Sequence, residues 1–217
     1  MKAILFDLDG VVVFTDKYHY LAWKELCDEQ GWFFSEEINQ GCRGVPRMAS
    51  LEVILQHNNV VLSTEEKEKL ADKKNRRYVE LLQNIDENDV YPGVVPFLKN
   101  LRAMGLKIGL CSSSKNARLV LNNLNLTSLF DAIVTGDEVT FAKPNPEIFL
   151  TGAKRLGVDP KECIVFEDAE AGIEAGLAAG MRCVGVGTPD LLPNAPITIK
   201  EYGEINLKTL IQDGSAK

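Results

Sequence analysis

The sequence has no CxxC pair, no apolar run long enough to cross a bilayer, no surplus of basic residues and no three-glycine nucleotide fingerprint. Each absence excludes something. The five cysteines (Cys27, Cys42, Cys111, Cys163 and Cys183) are odd in number and widely spaced in apolar surroundings, so zinc-ribbon and dithiol chemistry have no framework. Buried free thiols in a reducing, cytoplasmic setting are expected instead. The apolar start, residues 1–6, stops at Asp7, too short for a signal h-region or a membrane span, so neither a targeting segment nor a membrane partner is expected. The formal net charge of −7 argues against nucleic acid as a partner and means that any anionic substrate needs locally supplied positive charge. Gly185-Val186-Gly187 lacks the third glycine of a dinucleotide loop and leads into a proline-rich stretch. There are no internal repeats and no low-complexity tracts.

What is present is ordinary globular material: 217 residues, 45% hydrophobic and 25% charged, enough to bury a core without covalent staples. Short apolar runs at residues 2–6, 107–111, 132–134, 163–166, 182–186 and 197–199 read as strands. Between them lie helical patterns at 94–104, 116–124, 146–156, 169–179 and 206–212. This alternation predicts an α/β, Rossmann-like parallel sheet with helices on both faces. Residues 13–89 break it: only helical periodicity is found there, at 17–30, 36–39, 47–57 and 64–83, the last capped by Ser63 or Thr64. The division expected is a core of residues 1–12 and 90–217 with an all-helical insertion at 13–89.

Four polar features fall just past predicted strand ends, where open α/β sheets place ligands: Asp7-Leu8-Asp9-Gly10, Ser112-Ser113-Ser114, Lys143-Pro144 and Glu167-Asp168. Taken singly, each has a bland explanation as a turn, a helix cap or a loop. Taken together they put four carboxylates in one cleft, an arrangement that repels itself unless a cation binds. A hard, oxygen-ligated ion fits, and Mg2+ is the usual one where phosphate completes its shell. Lys143 adds fixed positive charge, and Ser112 with nearby backbone N–H groups adds a phosphate cradle. A calcium loop is excluded because Val11 stands where its third ligand belongs. The chemistry indicated is phosphoryl transfer.

The run Phe6-Asp7-Leu8-Asp9-Gly10-Val11, followed in order by Ser112, Lys143-Pro144 and Glu167-Asp168, resembles the four motifs of the haloacid dehalogenase superfamily. The helical insertion resembles that superfamily's cap domain. The resemblance implies that Asp7 is a nucleophile and Asp9 a general acid/base. It also implies Mg2+ held by the Asp7 carboxylate, the Asp9 carbonyl and Asp168, with Glu167 close by. Within the superfamily the chain is similar to the β-phosphoglucomutase-like branch of phosphatases and phosphomutases. The likeness runs through Thr15, Tyr18-His19 and Ala22-Trp23-Lys24; Gly44-Val45, Arg47 and Ser50-Leu51; Lys74-Asn75 with Tyr78; and Ser114-Lys115-Asn116. Arg43 stands where a lysine is common.

That branch implies interconversion of β-D-glucose 1-phosphate and glucose 6-phosphate through an aspartyl phosphate and a bisphosphate. The alternative is a Mg2+-dependent phosphatase of sugar phosphates. A bisphosphate needs a second anion site away from Asp7. Arg47, at the start of a predicted helix, suits it, with Arg43, Ser50, Lys74, Asn75 and Asn116 as supports. By family likeness His19 couples cap closure to Asp9. A monomer is expected, since a cap has to open against its core. A phosphorelay receiver, which also gathers acids, a serine and a lysine at strand ends, is excluded by its shorter length and later acceptor aspartate.

Overall fold

The computed structural model describes residues 1–212. Strand β1 (Ala3–Phe6) is followed by four helices, α1 (Asp16–Gln30), α2 (Glu36–Gln40), α3 (Arg47–His57) and α4 (Thr64–Leu81). The chain then alternates: α5 (Val94–Ala103), β2 (Lys107–Cys111), α6 (Ala117–Asn123), β3 (Ala132–Val134), α7 (Glu147–Leu156), β4 (Cys163–Glu167), α8 (Glu170–Ala178), β5 (Arg182–Val186), β6 (Thr198–Ile199) and α9 (Leu207–Gln212). The six strands form one parallel sheet in the order β3-β2-β1-β4-β5-β6. The Rossmann-like α/β class read from the sequence is the class observed.

Strand alternation assigns the two faces. Ile4, Phe6, Ile108, Leu110, Ile164 and Phe166 point into one core cluster, and Ala3, Leu5, Cys111, Cys163 and Val165 into the other. With both faces covered, the strands are apolar at nearly every position, as parallel sheets require. Phe6 stacks on Phe166 across neighbouring strands, with centroids 5.0 Å apart. This rigid floor fixes where the strand ends, and so the polar residues after them, come to lie.

Helices α1–α4 enclose a third cluster of their own, built from Trp23, Leu26, Phe34, Ile38, Leu51, Ile54, Leu55 and Ala71. Tyr18, Ala22, Tyr78 and Leu82 pack instead on the sheet side, which ties the insertion to the core. Helix α4 opens with Ser63 and Glu66 in a reciprocal capping box. It ends two residues short of the predicted limit because Leu82–Asn84 tightens into a 3-10 turn. All five cysteines are free. Among the described residues no helix is long and apolar enough to cross a membrane.

Candidate active site

The site lies at the carboxyl ends of β1 and β4, which are direct neighbours. Asp7 leaves the sheet with its N–H still donating to the Phe166 carbonyl at 2.9 Å. The chain then turns sharply at Gly10 (φ +76°), where any side chain would overlap the Asp168 carboxylate. That turn lets the acids after β1 meet those after β4: one carboxylate oxygen each from Asp7, Glu167 and Asp168 lie within 4.8 Å of one another. Lys143, from the segment between β3 and α7, is buried between them, its Nζ 2.6 Å from Asp7 Oδ1 and 2.5 Å from Glu167 Oε1. Glu167 Oε2 also accepts the Ala169 N–H at 2.9 Å.

Burial pushes the Asp7 carboxyl up to about 7, against the pull of Lys143 and with Glu167 and Asp9 adding to the rise. Burial also raises Asp9, opposed by the hydroxyl of Thr15, which donates to Asp9 Oδ1. Asp168 is raised well above its ordinary range by burial and then by Glu167 and Asp7. Burial alone would lower the Lys143 ammonium, but Asp7 and Glu167 against it outweigh that and hold it charged. Three close carboxylates with one buried ammonium form an over-negative pocket of hard oxygens, and this donor set fits a divalent cation.

The opposite wall comes from α1 and α4. His19 Nε2 faces Asp9 Oδ1 at 4.0 Å, while His19 Nδ1 lies 2.8 Å from Lys74 Nζ and the imidazole stacks on Tyr78. An ammonium has no lone pair, so against charged Lys74 the Nδ1 accepts and the N–H of Nε2 is turned toward Asp9. Burial, Lys74 and Arg47 hold His19 well below its usual value, in keeping with that neutral ring. Lys74 is itself buried, 4.8 Å from the ring centroids of Trp23 and Tyr78, and burial with Arg47 brings it down to about 7. Arg47, the first residue of α3, meets Asp72 at 3.4 Å.

Residues 41–46, between α2 and α3, close one side. Ser50 Oγ donates to the carbonyls of Cys42 and Pro46 and so shapes this loop. Gly44 (φ +68°) rests against the core, where an added Cβ would come 2.6 Å from that of Ala169. Asn116 Nδ2 donates to Asn75 Oδ1 at 2.8 Å, a second bridge between insertion and core.

A cleft of about 500 Å³ runs between the two walls. Of the residues singled out from sequence, it is lined by Asp7, Asp9, His19, Trp23, Arg43, Gly44, Val45, Arg47, Ser50, Lys74, Asn75, Ser113, Ser114, Asn116, Lys143 and Asp168. Thr15, Ser112 and Glu167 lie behind the wall, each almost wholly buried. Ser112 Oγ accepts the Ser114 N–H at 3.1 Å, so it shapes the turn whose next residues face the cleft. Arg43 bonds two carboxylates, Asp16 at 2.7 Å and Asp168 at 3.2 Å, instead of standing beside Arg47 as an anion support. Asp16 and Tyr78 also line the cleft without having been singled out as site residues. Helical spacing carried a signal for Tyr78, four residues after Lys74 on one face of α4, as Trp23 is four after His19 on α1.

Residues 1–180 match the family model of the haloacid dehalogenase-like hydrolases, and the chain belongs to that family of enzymes. Its relatives narrow the likeness. A β-phosphoglucomutase of Bacillus subtilis is 39% identical over 98% of this chain and 95% of its own. A crystal structure of β-phosphoglucomutase from Clostridium difficile superposes with a TM-score of 0.91 at 40% identity, covering 97% of this chain and 95% of that one. A phosphorylated carbohydrates phosphatase of Thermotoga maritima is 33% identical over 86% of this chain and 85% of its own.

Proposed function

We propose that this enzyme is a β-phosphoglucomutase, moving a phosphoryl group between the 1 and 6 positions of β-D-glucose by way of phospho-Asp7. The observation that carries this reading is the opposed charge of the cleft walls. Lys143 and the carboxylates stand at the sheet end, Arg47 and Lys74 at the insertion side, and one cleft joins them. With a divalent cation at the sheet end, such a cleft suits a substrate anionic at both ends. The likeness to the Bacillus and Clostridium enzymes over nearly the whole chain supports it.

In the first half-reaction a carboxylate oxygen of Asp7 attacks phosphorus, and the bond from phosphorus to the sugar oxygen breaks as the new one forms. Asp9, its pKa raised by burial, supplies the proton that the leaving oxygen needs. In the return step Asp9 takes the proton of the 6-hydroxyl of β-D-glucose 1-phosphate, which attacks the phosphorus of phospho-Asp7 as the bond from phosphorus to the Asp7 oxygen breaks. The bisphosphate so formed gives its 1-phosphoryl group back to Asp7 by the first step and leaves as glucose 6-phosphate. Thr15 holds Asp9 from the insertion side, and His19 turns an N–H toward it from 4.0 Å, so its orientation depends on that wall being in place. Lys143 fixes Asp7 and stabilises charge on the phosphoryl oxygens. Mg2+ would be held by Asp7, the Asp9 carbonyl and Asp168, with Glu167 behind, and would supply further charge neutralisation to the phosphoryl oxygens.

Residues 13–89 act as a cap over a core of 1–12 and 90–217, a division supported by the insertion's separate apolar cluster. The enzyme is taken to work as a cytoplasmic monomer. The Thermotoga relative favours a second reading, hydrolysis of sugar phosphates in the same site with water as acceptor. A coupled assay with β-D-glucose 1-phosphate, Mg2+ and trace glucose 1,6-bisphosphate separates the two. Glucose 6-phosphate formed without matching inorganic phosphate supports the mutase. Inorganic phosphate in its place selects the phosphatase.

A further inference from the structure

The carboxylates at the sheet end draw their positive partners from two different parts of the chain. Asp7 and Glu167 are bonded to Lys143, which belongs to the core. Asp168 is bonded to Arg43, which belongs to the loop between α2 and α3 and reaches the carboxylate across 125 residues of sequence. The Asp168 side chain is only 12% exposed, so it is a nearly buried anion whose partner arrives from the insertion. The same Arg43 nitrogen, Nη2, also lies 2.7 Å from Asp16 Oδ2, closer than its 3.2 Å to Asp168 Oδ2. Arg43 is 40% exposed and Asp16 41%, so the guanidinium has a wet, ready alternative to Asp168. Its neighbour Gly44 is pressed against Ala169, next in the chain after Asp168, which keeps the loop and the carboxylate in register.

We propose that Arg43 is a resident counter-cation for Asp168, displaced onto Asp16 when a divalent cation binds, so that Arg43 and Asp16 together set the cation affinity of the site. The inference rests on the reading of Asp7, Glu167 and Asp168 as a magnesium site. Its physical basis is competition. A guanidinium and a divalent ion repel each other, and both need the negative charge of one carboxylate. The hydrogen bond that Arg43 makes to Asp168 is therefore an interaction that cation binding has to break. Asp16 lowers the cost by giving the displaced guanidinium a partner that is already in contact.

The test is titration of the full chain with MgCl2 by calorimetry, at fixed ionic strength and without phosphate or sugar, so that affinity is read apart from turnover. Arg43→Gln is expected to bind Mg2+ more tightly, by roughly ten- to a hundredfold, the equivalent of one charge-assisted hydrogen bond. Asp16→Asn is expected to bind more weakly, because Arg43 loses its alternative and stays on Asp168. The double variant is expected to match Arg43→Gln, since Asp16 acts only through the guanidinium. A clamp that merely orients Asp168 gives the opposite sign, and Arg43→Gln binding as weakly as wild type or more weakly overturns the proposal. A double variant that retains the full loss seen in Asp16→Asn shows a direct field of Asp16 and also overturns it. Thermal denaturation confirms that each variant is folded. Wild-type protein that takes up no Mg2+ overturns the metal-site reading itself, an outcome distinct from either failure above.

Discussion

The two walls of the cleft solve opposite electrostatic problems. At the sheet end, Asp7, Asp9, Glu167 and Asp168 gather near one buried ammonium that bonds Asp7 and Glu167, and burial, with smaller contributions from neighbouring acids, raises three of the four carboxyls. At the insertion side, Arg47 and Lys74 sit with a neutral imidazole and two aromatic rings, and Asp72, which pairs with Arg47, is 70% exposed. Burial works against charge on both walls, upward for the acids and downward for Lys74 and His19. Both walls are thus left wanting a counter-ion. A divalent cation would complete the first and an anion the second, so under the proposed function a phosphorylated sugar with its metal would relieve both at once. An acidic protein can thereby bind an anionic substrate.

The comparison breaks outright if the sheet end can lose its first acid. Asp7→Asn is expected to reduce turnover to background, because an amide nitrogen and oxygen cannot accept and release the phosphoryl group as a carboxylate does. The check is mutase activity together with retention of radiolabel after incubation with a labelled phosphoryl donor. Label retained on the Asp7→Asn chain would move the nucleophile elsewhere. Asp9→Asn is expected to cost roughly 10²–10⁴-fold in kcat, the usual worth of a placed acid/base group.

The insertion wall gives a more selective signature. Arg47→Ala should weaken the sugar bisphosphate reaction by roughly ten- to a hundredfold in kcat/KM, the scale of one charge-assisted contact. Hydrolysis of acetyl phosphate, which fills only the sheet end, should change little. Equal losses on both substrates would make Arg47 a structural residue paired with Asp72.

How far the sequence alone reaches differs between these walls for a physical reason. Strand ends are set by local pattern: apolar runs of three to five residues stop at Asp7, Ser112 and Glu167 or one residue before them, and parallel pairing then brings their ends together. The acid cluster was therefore legible. The direction of individual side chains was not, which is why Ser112 turns inward to its own backbone while Ser113 and Ser114 face the cleft. Contacts such as that of Arg43 with Asp168 depend on how the loop between α2 and α3 docks against a residue 125 positions further along the chain. No periodicity within the chain encodes that distance. Short 3-10 turns, as at Leu82–Asn84 and Glu87–Asp89, likewise follow from local tightening that apolar spacing does not register.

A finer test uses the pH dependence of stability at the insertion wall. Folding lowers the Lys74 pKa from 10.5 to about 7, mainly by burial. Between those values the unfolded chain holds a proton that the folded chain has released, so stability attributable to Lys74 rises with pH across that window. Below it, the folded protein carries a buried charge that the unfolded chain solvates freely. Lys74→Met removes that burden. The melting temperature of the variant relative to wild type should be most favourable at pH 6 and decline toward pH 9, at about 2–4 °C for each kcal/mol. A difference independent of pH would mean that Lys74 keeps an ordinary affinity for its proton and is stabilised by its rings alone.

The smallest effect should come from the far end of the same helix, away from both walls. Ser63 Oγ accepts the Glu66 N–H at 3.3 Å, and Glu66 Oε2 accepts the Ser63 N–H at 2.8 Å, closing the box that starts α4. Ser63→Ala leaves a helix donor to water and is expected to cost about 0.5–2 kcal/mol of stability, a drop of a few degrees on melting. Because α4 also carries Lys74, Asn75 and Tyr78, the substitution asks whether the wall depends on the whole helix or only on its buried half. Those three residues lie about three to four turns further on, where α4 packs on α1 and on the sheet-side cluster. Fraying of the first turn should not reach them, so kcat/KM is expected to stay within twofold of wild type, about 0.4 kcal/mol. A matching loss of activity and melting temperature would show that the insertion folds and works as one cooperative unit, with its cation wall only as firm as its weakest cap.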